Sequence, residues 1–369
     1  MQQTESPGTK RPPAVERALE LIRDPRRGRF EDVALDVFAY QFQNNEPYRR
    51  FCRHRRKNVE SVKSWEEIPA VPTAAFKEVA LTTAPARHTF ITSGTSRGLK
   101  TRGKHHLPSL DLYGASWGEP FRRHLLPDRD SIRILSLIPS AETLPNSSLS
   151  FMASAAMERH GASGSGFFVD GEGFQSDGMH LAIRKVVTTG EPVLILGTAL
   201  ILRAWLVELE ASGEQFVLPP GSRVMDTGGM KGRSATMTRG ELLSLCHNRL
   251  GIPPSHVVGE YGMTELCSQF YELTLDSDSA SRTGADDRVF RGPPWTRTRV
   301  LDPDTLRPVA PGESGLLAHW DLANAWTVCA VVTEDLGTLA KDGFRLLGRA
   351  EGSELRGCSL RTEELLGGT

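Results

Sequence analysis

The alternation of apolar and polar residues divides the chain into a helical beginning, an α/β centre and a β-rich end. After a disordered leader at residues 1–13, helical spacing predicts a helical region and a proline-stiffened connector over 14–87. Over 88–284, short β-branched runs alternate with helical segments, which indicates an α/β fold of layered sheets and helices. Residues 285–369 contain short alternating runs broken by Pro and Gly, and predict a small β subdomain that resembles a barrel.

The α/β centre supplies the strands at whose ends a ligand is expected. Apolar runs predict its strands at 88–91, 132–138, 166–169, 192–197, 222–227 and 255–259. Helical spacing predicts its helices at 150–160, 182–188, 198–211 and 238–250. The last helix begins after the capping residue Thr238 and ends at Gly251. Ligands in such folds bind at the carboxyl ends of the strands, so the polar residues found there are the candidate site.

A loop rich in hydroxyls, glycines and cations follows the first of these strands. It reads Thr92-Ser93-Gly94-Thr95-Ser96-Arg97-Gly98-Leu99-Lys100. Glycines let backbone N–H groups approach a polyanion, hydroxyls donate to its oxygens, and Arg97 and Lys100 supply the opposite charge. The composition of the loop is also that of an exposed polar turn, and the loop alone does not decide between the two. The P-loop pattern fails because the glycine and the lysine are not adjacent.

The same loop formally matches the Gly-x-Ser-x-Gly elbow of serine hydrolases, with Ser96 as the nucleophile. That elbow requires a helix directly behind the nucleophile. Residues 99–104 are basic and include Gly103, so they make a poor helix. The sequence therefore disfavours a serine hydrolase.

Four further strand or turn positions carry polar chemistry. Tyr261-Gly262-Met263-Thr264-Glu265 offers an aromatic face for a base, a hydroxyl for a phosphate and a carboxylate for magnesium. The paired glycines of Gly228-Gly229-Met230-Lys231 would let a planar ring lie against the backbone. Asp335 could accept two ribose hydroxyls, and Arg349 lies in a Gly-Arg turn. Taken singly, Tyr261 is equally a core-edge aromatic, Asp335 a turn former and Arg349 a surface ion-pair partner.

Composition limits the classes of function. The 369 residues are 39% hydrophobic, and 44 Lys and Arg stand against 45 Asp and Glu, so a folded chain without a nucleic-acid surface is expected. Neither a signal peptide nor an apolar run of membrane-spanning length is found. The five cysteines are scattered and odd in number, which favours the reducing cytoplasm over a disulfide framework or a zinc site.

The order of these motifs resembles that of the adenylate-forming superfamily, which includes acyl-CoA synthetases and firefly luciferase. The resemblance rests on the hydroxyl-rich loop, with Arg97 inserted before its second glycine, then Tyr-Gly-x-Thr-Glu, then Thr-x-Asp-Leu-Gly, then Gly-Arg. It implies ATP and magnesium, with Tyr261 stacked on adenine, Thr264 at the α-phosphate and Glu265 on the metal. Asp335 and Arg349 would hold the ribose. The nucleotide-binding residues implied are Thr92, Ser93, Gly94, Thr95, Ser96, Gly98, Gly228, Gly229, Lys231, Tyr261, Gly262, Thr264, Asp335 and Arg349.

Within that superfamily the chain is most similar to LuxE-type acyl-protein synthetases, which are related to phenylacetate-CoA ligases. Three stretches carry this similarity: the connector 68–77, the turn 228–232 and the terminal 354–360. The resemblance implies that a carboxylic acid, with a fatty acid favoured, is activated as acyl-AMP and then loaded onto a thiol. An acyl-acceptor protein, a reductase or a carrier, is the implied partner. An acyl- or aryl-CoA ligase-like enzyme and a noncatalytic nucleotide-binding module stay as alternatives.

The end of the chain carries the candidate nucleophile. The resemblance implies that Cys358 receives the acyl group, and the neighbouring Arg356 would lower the pKa of its thiol. An inert buried cysteine is the alternative, and Cys267 is a second candidate. Eleven residues follow Cys358, so we expect the C-terminal lid domain of larger relatives to be absent. In that case the pyrophosphate charge would be offset by the cations Lys100, Arg97, Lys231 and Arg356.

The pocket for the acid is predicted only as a region. Its candidate residues are Leu144, Asn146, Ser147, Gly197, Thr198, Gly228 and Gly229. Neither the identity of the acid nor the oligomeric state follows from these residues, and an oligomer is one possibility.

Overall fold

A computed structural model describes residues 11–93, 102–228, 237–275, 284 and 288–350. The helices are α1 (Pro13–Arg23), α2 (Phe30–Asn44), α3 (Glu46–His54), α4 (Ala75–Glu78), α5 (Asp111–Leu125), α6 (Ser148–His160), α7 (Ser176–Thr189), α8 (Ala199–Ser212) and α9 (Arg239–Leu250). The strands are β1 (Val71–Pro72), β2 (His88–Ile91), β3 (Lys104–Leu107), β4 (Arg133–Leu137), β5 (Gly166–Phe167), β6 (Val193–Thr198), β7 (Arg223–Thr227), β8 (Val257–Tyr261), β9 (Phe270–Glu272), β10 (Phe290–Arg291), β11 (Thr296–Leu301), β12 (Ser314–Asp321), β13 (Ala330–Ala340) and β14 (Gly343–Arg349).

Most of these strands form one large sheet. Within the described residues its order is β11-β12-β13-β14-β10-β9-β8-β7-β6-β4-β5, and β1 pairs beside β13. The five strands β5, β4, β6, β7 and β8 run parallel, whereas β9 to β14 pair antiparallel. The predicted α/β centre and β-rich end are therefore both present, and β10 joins them into one sheet.

Side chains that alternate along the central strands belong to two different cores. Leu194 and Leu196 of β6 belong to a buried cluster that includes residues of α1, α2, α5 and α6, whereas Val193 and Ile195 belong to a second cluster with residues of α7, α8 and α9. Such alternation follows from the two-residue period of a strand, and it explains why these strands are apolar throughout. Helices cover both faces of the parallel sheet, so its polar residues are concentrated at the strand ends.

The end signals predicted for α9 are confirmed. Thr238 accepts from the backbone of Glu241 while Glu241 accepts from the backbone of Thr238, which is a capping box, and Gly251 ends the helix in the left-handed conformation at φ 69°. The strands predicted at 132–138, 192–197, 222–227 and 255–259 also correspond to β4, β6, β7 and β8. Local sequence patterns are enough to predict a strand or helix where a long apolar run or a complete cap is present.

Two elements were not predicted from the sequence, and two positions lie in strands where turns were considered. Strand β3 begins at Lys104, and α5 forms in spite of Gly114, Gly118 and Pro120. The Gly-Arg turn predicted at Arg349 is wrong, because Arg349 is the last residue of β14. Asp335 lies inside β13 rather than in a turn, since β13 continues to Ala340. Antiparallel pairing with β12 and β14 overrides the local turn signals there.

The N-terminal helices are hydrogen-bonded into the β-rich end. The Gln41 amide of α2 donates to the carbonyls of Asn324 and Ala325 at 2.9 and 3.2 Å, and its oxygen accepts from the Cys329 N–H at 3.1 Å. Asn45 donates to the Thr327 carbonyl at 3.1 Å. The connector adds the short parallel strand β1 beside β13. The first helices therefore support the segment 324–329, which packs behind the candidate site. No helix within the described residues is both long and apolar enough to cross a membrane.

Candidate active site

The strands β2 and β3 form a hairpin that holds the two ends of the hydroxyl-rich loop. Ile91 pairs with Lys104, the Thr92 N–H donates to the Gly103 carbonyl at 3.0 Å, and the Gly103 N–H donates to Thr92 Oγ1 at 3.0 Å. Thr92 and Ser93 are described, and the remaining candidates of the loop lie outside the described residues: Gly94, Thr95, Ser96, Arg97, Gly98 and Lys100. The next element within the described residues is the strand β3 rather than a helix, which argues against a nucleophile elbow at Ser96.

The carboxylate of Glu265 lies against the stem of this loop. A Cβ placed on Gly103 would lie 3.0 Å from Thr92 Cγ2 and 3.3 Å from Glu265 Oε1, so a side chain at this position would crowd both groups. Glu265 is only 7% exposed. The Tyr-Gly-x-Thr-Glu motif and the hydroxyl-rich loop, separated by more than 150 residues in sequence, therefore meet at Gly103.

Buried polar side chains hold the backbone of the motif. His105 Nδ1 lies 2.7 Å from the Thr264 carbonyl, and its Nε2 lies 3.0 Å from Thr327 Oγ1. A carbonyl can only accept, so Nδ1 carries the proton and Nε2 is left to accept from the Thr327 hydroxyl. Burial lowers the pKa of His105 to about 4, so the ring is neutral. Asn324 donates to the Glu265 carbonyl at 2.9 Å.

Asp321 holds the next two residues of the segment. Its carboxylate accepts from the N–H groups of Cys267, Ser268 and Ala323 at 3.0, 2.8 and 3.0 Å, and from the Ser268 hydroxyl at 2.7 Å. Burial raises the pKa of Asp321 to about 6, although these hydrogen bonds oppose the shift. We call His105, Asp321 and Asn324 the motif frame. The sequence analysis did not identify these residues, because each acts through a contact that is distant in sequence.

The second candidate nucleophile, Cys267, belongs to this packed segment. Its side chain is buried, its carbonyl accepts from the Ser116 hydroxyl, and burial raises the pKa of its thiol far above the ordinary value. A thiol in this state is a poor nucleophile. Cys358 and Arg356, together with Gly229 and Lys231, lie outside the described residues.

Tyr261 is fixed at the end of β8 by aromatic neighbours and by one hydrogen bond. Its ring centroid lies 5.4 Å from that of Phe344 and 5.6 Å from that of His319, and its hydroxyl donates to Asp335 Oδ2 at 2.9 Å. Burial raises the pKa of Tyr261 well above its ordinary value, so the hydroxyl stays protonated as a donor. An aromatic ring and a carboxylate are thereby placed side by side.

Asp335 and Arg349 are paired across β13 and β14. The two residues are direct partners in the antiparallel register, and the Arg349 guanidinium forms an ion pair with Glu334. Burial alone would lower the pKa of Arg349, yet the carboxylates of Glu334, Asp335 and Glu265 raise it above the ordinary value. Arg349 is therefore within electrostatic reach of Glu265. Glu334 is a further member of this group that sequence reasoning missed.

The ends of β7 and β8 carry a second polar group. Thr227 donates to the carboxylate of Glu260, which is 6% exposed, and burial raises the pKa of Glu260 to about 7. Gly228 follows with φ 79°, a conformation in which a side chain would be strained. A Cβ placed on Gly262 would lie 2.5 Å from Glu260 Oε1, so a side chain at this position would displace the Glu260 carboxylate. A charged residue at the end of an apolar run was the one sequence signal for Glu260.

The opposite face of the same strand ends holds a buried ion network. Glu272 accepts from Arg239 at 2.5 Å, from Arg288 at 2.6 Å and from the Gly259 N–H at 2.8 Å. Arg239 also donates to Asp226 at 2.6 Å. Burial would raise the pKa of Glu272, but the two guanidinium groups outweigh it and lower that pKa. This network ties β7, β8 and β9 together beneath the candidate site.

The residues predicted for the acid pocket have visible structural roles. Ser147 caps α6 by accepting from the Ser150 N–H at 3.1 Å, and Thr198 caps α8 by accepting from the Ile201 N–H at 3.5 Å. The Asn146 carbonyl accepts from the Ile91 N–H at 2.8 Å, which ties it to the stem of the loop. Leu144 is about half exposed. Asn146 is thus the pocket candidate that lies closest to the hydroxyl-rich loop by direct contact.

The described residues contain no cluster of three or more His, Cys, Asp or Glu side chains that could hold a metal ion. Magnesium needs no such cluster when it binds a nucleotide, because one or two carboxylates and the phosphates complete its shell. Glu265, beside the Thr92 stem, offers one carboxylate in the position that this arrangement requires. The donor set therefore fits magnesium bound together with a phosphate ligand.

Comparison with known proteins gives consistent matches. The family model described as acyl-protein synthetase, LuxE, matches residues 15–367. The chain is 24% identical over 358 residues to a long-chain-fatty-acid–luciferin-component ligase of Vibrio harveyi, covering 88% of this chain and 84% of the relative. A ligase of the same description from Aliivibrio fischeri is 22% identical over 315 residues, covering 83% and 78%. The structure of 2-hydroxyisobutyryl-CoA ligase in the postadenylation state with 2-HIB-AMP has a TM-score of 0.59 at 15% identity, covering 88% of this chain and 68% of that one. The two chains share a fold.

Proposed function

This chain belongs to the LuxE family of acyl-protein synthetases, and from that premise we propose that it activates a carboxylic acid with ATP and transfers the acyl group to a thiol. The curated relatives are named as long-chain-fatty-acid ligases, which supports an acid of that class. The observation that carries the proposal is the meeting of Glu265 with the stem of the hydroxyl-rich loop at Gly103. A phosphate-binding loop and a metal-binding carboxylate must be adjacent for adenylation.

The residues take the following roles in this proposal. Tyr261 offers a ring to adenine, and its hydrogen bond to Asp335 aligns that carboxylate for the ribose hydroxyls. Arg349 contacts the ribose of the nucleotide, and the carboxylates of Glu334 and Asp335 keep its guanidinium charged. The Thr264 hydroxyl donates to the α-phosphate. Glu265 would hold magnesium, which neutralises phosphate charge as the bond to the leaving group breaks.

The reaction has two steps. A carboxylate oxygen of the acid attacks the α-phosphorus of ATP, a new P–O bond forms, and pyrophosphate leaves with the electrons of the broken bond. The cations Arg97, Lys100, Lys231 and Arg356 would offset the charge that develops on this leaving group. A thiolate then attacks the acyl carbon, a thioester forms, and AMP leaves. The motif frame keeps Thr264 and Glu265 in place throughout, so the reacting groups need little reorganisation.

The acceptor thiol is proposed to be Cys358, followed by transfer to a reductase or carrier protein. Cys267 is a poor alternative because it is buried and its pKa is raised. The described cysteines Cys52, Cys246, Cys267 and Cys329 are all buried and reduced, which supports the cytoplasm as the location.

The first experiment measures pyrophosphate release with purified protein, ATP, magnesium and a series of carboxylic acids. Release should depend on the acid and on magnesium, and Glu265→Gln should lower kcat about a hundredfold or more because a metal ligand is lost. The exposed Glu119→Gln serves as the matched control and should leave the rate unchanged. ATP binding without pyrophosphate release from any acid would favour a noncatalytic nucleotide-binding module instead.

The second experiment locates the thioester by mass spectrometry after incubation with ATP and the acid. A mass increase should appear on the peptide containing Cys358 and disappear in Cys358→Ala. Cys329→Ala is the matched control, because Cys329 is fully buried and should not be acylated. Equal loading in Cys358→Ala would refute the role of this cysteine. Formation of acyl-CoA in its place would identify a CoA ligase.

A further inference from the structure

We propose that the acid carries a hydrogen-bond donor near its carboxyl end: a hydroxyl, which would donate to one of Glu260 and Gln269, or an amino group, which can donate to both. This inference rests on the function proposed above and names its substrate class more closely. It concerns two buried side chains, both close to the position that a Cβ on Gly262 would occupy, that the adenylation chemistry leaves unused.

Glu260 has an acceptor to spare. Thr227 donates to one of its oxygens and is its sole hydrogen-bond partner within the described residues. The other oxygen, Oε1, faces the α-carbon of Gly262. Burial raises the pKa of Glu260 to about 7, and no cation among the described residues offsets this shift. A ligand that donates a hydrogen bond to Oε1 would relieve this cost.

Gln269 has a second acceptor without a partner. The residue is 6% exposed, and its Oε1 has no hydrogen-bond partner among the described residues. The Tyr113 hydroxyl does not supply the missing donor, because it donates to the Ser148 carbonyl at 2.8 Å. Buried polar atoms without partners are rare in native proteins and are costly unless a ligand satisfies them.

A purely structural role explains Glu272 but not Glu260. Glu272, on the other face of the strand ends, is bonded to Arg239, Arg288 and a backbone N–H, and its pKa is lowered. Glu260 has no guanidinium or ammonium partner in the part of the chain that is described. A carboxylate that served only the fold would be paired in the way Glu272 is, because burying an unpaired charge destabilises a protein.

The position of the two acceptors places the donor near the reacting end of the acid. Both lie close to Gly262, which is two residues before Thr264, the residue at the α-phosphate in the proposed mechanism. A group that reaches Glu260 and Gln269 is therefore attached within a few carbons of the carboxyl group. An unsubstituted alkyl chain at this point would leave both acceptors buried and unpaired. Sites built for a hydrogen-bond donor discriminate against analogues that lack it.

The test compares acids that differ only in the donor. Pyrophosphate release is measured with tetradecanoate, its 2- and 3-hydroxy derivatives and 3-aminotetradecanoate. At least one substituted acid should have a kcat/KM about ten- to a hundredfold above that of tetradecanoate, the range that one unpaired buried polar group corresponds to. The hydroxy and amino acids then tell which donor the site takes. Equal or better use of tetradecanoate by the wild-type protein would overturn the inference and leave adenylation intact.

Two variants assign the preference to these residues. Each variant should bring the ratio of kcat/KM for the substituted acid to kcat/KM for tetradecanoate close to one. Gln269→Leu should do so mainly by raising kcat/KM for tetradecanoate. Glu260→Gln should do so by removing an acceptor for the substituted acid. Exposed Glu119→Gln is the control and should keep the wild-type ratio. Circular dichroism checks that each variant folds. If Glu260→Gln does not fold, the kcat/KM ratio of Gln269→Leu alone decides the assignment. A wild-type ratio in folded Gln269→Leu would overturn the assignment.

A binding measurement separates this inference from the proposed function. Titration calorimetry of the same acids without ATP should show the substituted acid binding about tenfold more tightly to the wild-type protein than to Gln269→Leu. That result would support the pocket even if no acid released pyrophosphate, in which case adenylation itself would be wrong. Equal binding to both proteins would count against the inference whatever the outcome for adenylation.

Discussion

The two sides of the segment 260–269 are held by opposite means. On the side proposed to face the nucleotide, the motif frame of His105, Asp321 and Asn324 bonds the backbone of Thr264, Glu265, Cys267 and Ser268. On the side proposed to face the acid, Glu260 and Gln269 keep an acceptor oxygen each without a partner in the described chain. The difference shows which part of the site the fold completes by itself and which part it leaves for a ligand.

Partnered and unpartnered buried groups contribute differently to stability. When a buried polar group loses its hydrogen-bond partner, the protein is destabilised by the full desolvation cost of that group. Removing a buried group that had no partner changes the free energy of unfolding little. If the comparison is correct, substitutions in the motif frame should be far more destabilising than those on the acid side. Four measurements of unfolding, ordered from the largest expected effect to the smallest, test this.

Asp321→Ala should have the largest effect. It would leave three backbone N–H groups and the Ser268 hydroxyl without their acceptor, and we expect a loss of about 4 kcal/mol in the free energy of unfolding by urea denaturation. Asp304→Ala, at an exposed position, is the matched control and should change it by less than about 0.5 kcal/mol. A loss below about 1 kcal/mol for Asp321→Ala would mean that the frame is not a major source of stability.

Lowering the pH should reveal the contribution of His105 to the free energy of unfolding. Its pKa in the folded protein is about 4, below the ordinary value, so the unfolded chain takes up a proton first as the pH falls. The contribution to stability is complete above about pH 6.5 and is lost progressively toward pH 4, by about 3 kcal/mol at most. His105→Gln should therefore show a shallower decline in unfolding free energy across this range. His106→Gln, a half-buried neighbour on β3, should flatten it less, and equal slopes for the two variants would contradict the assignment.

Gln41→Ala tests the support behind the frame. This variant removes three hydrogen bonds to the segment 324–329, and we expect a loss of about 2 kcal/mol in the free energy of unfolding. It should also raise the KM for ATP, because Asn324 holds the Glu265 carbonyl. Exposed Gln43→Ala on the same helix is the control, and comparable effects of the two substitutions would argue against a specific role for Gln41.

Gln269→Leu should have the smallest effect on stability. It removes a buried acceptor that has no partner within the described residues, so we expect the free energy of unfolding to change by less than about 1 kcal/mol in thermal or urea unfolding. A loss as large as that of Asp321→Ala would remove the distinction between the two sides of the segment.

The sequence predicted the parts of this molecule that depend on local patterns. The central strands and the caps of α9 at Thr238 and Gly251 could be identified because periodicity and capping residues record them, whereas the motifs at Tyr261, Asp335 and Arg349 were recognised through a family resemblance. The motif frame could not be identified, because His105 and Thr264 meet across 159 residues and Gln41 and Asn324 across 283. The turn predicted at Arg349 is wrong because strand pairing between distant segments overrides local propensity. The roles of the candidate site residues stay predictions.

The hydrogen bonds from Gln41 also affect how the chain matures on the ribosome. Helix α2 emerges early, but its partner Asn324 lies 283 residues further along the chain. At typical rates of synthesis the helix waits on the order of 15 to 60 seconds with its polar Gln41 and the adjoining apolar face uncovered. A chaperone that shields this face, or rare codons that lengthen the wait, would change the yield of active enzyme without altering a single residue of the site.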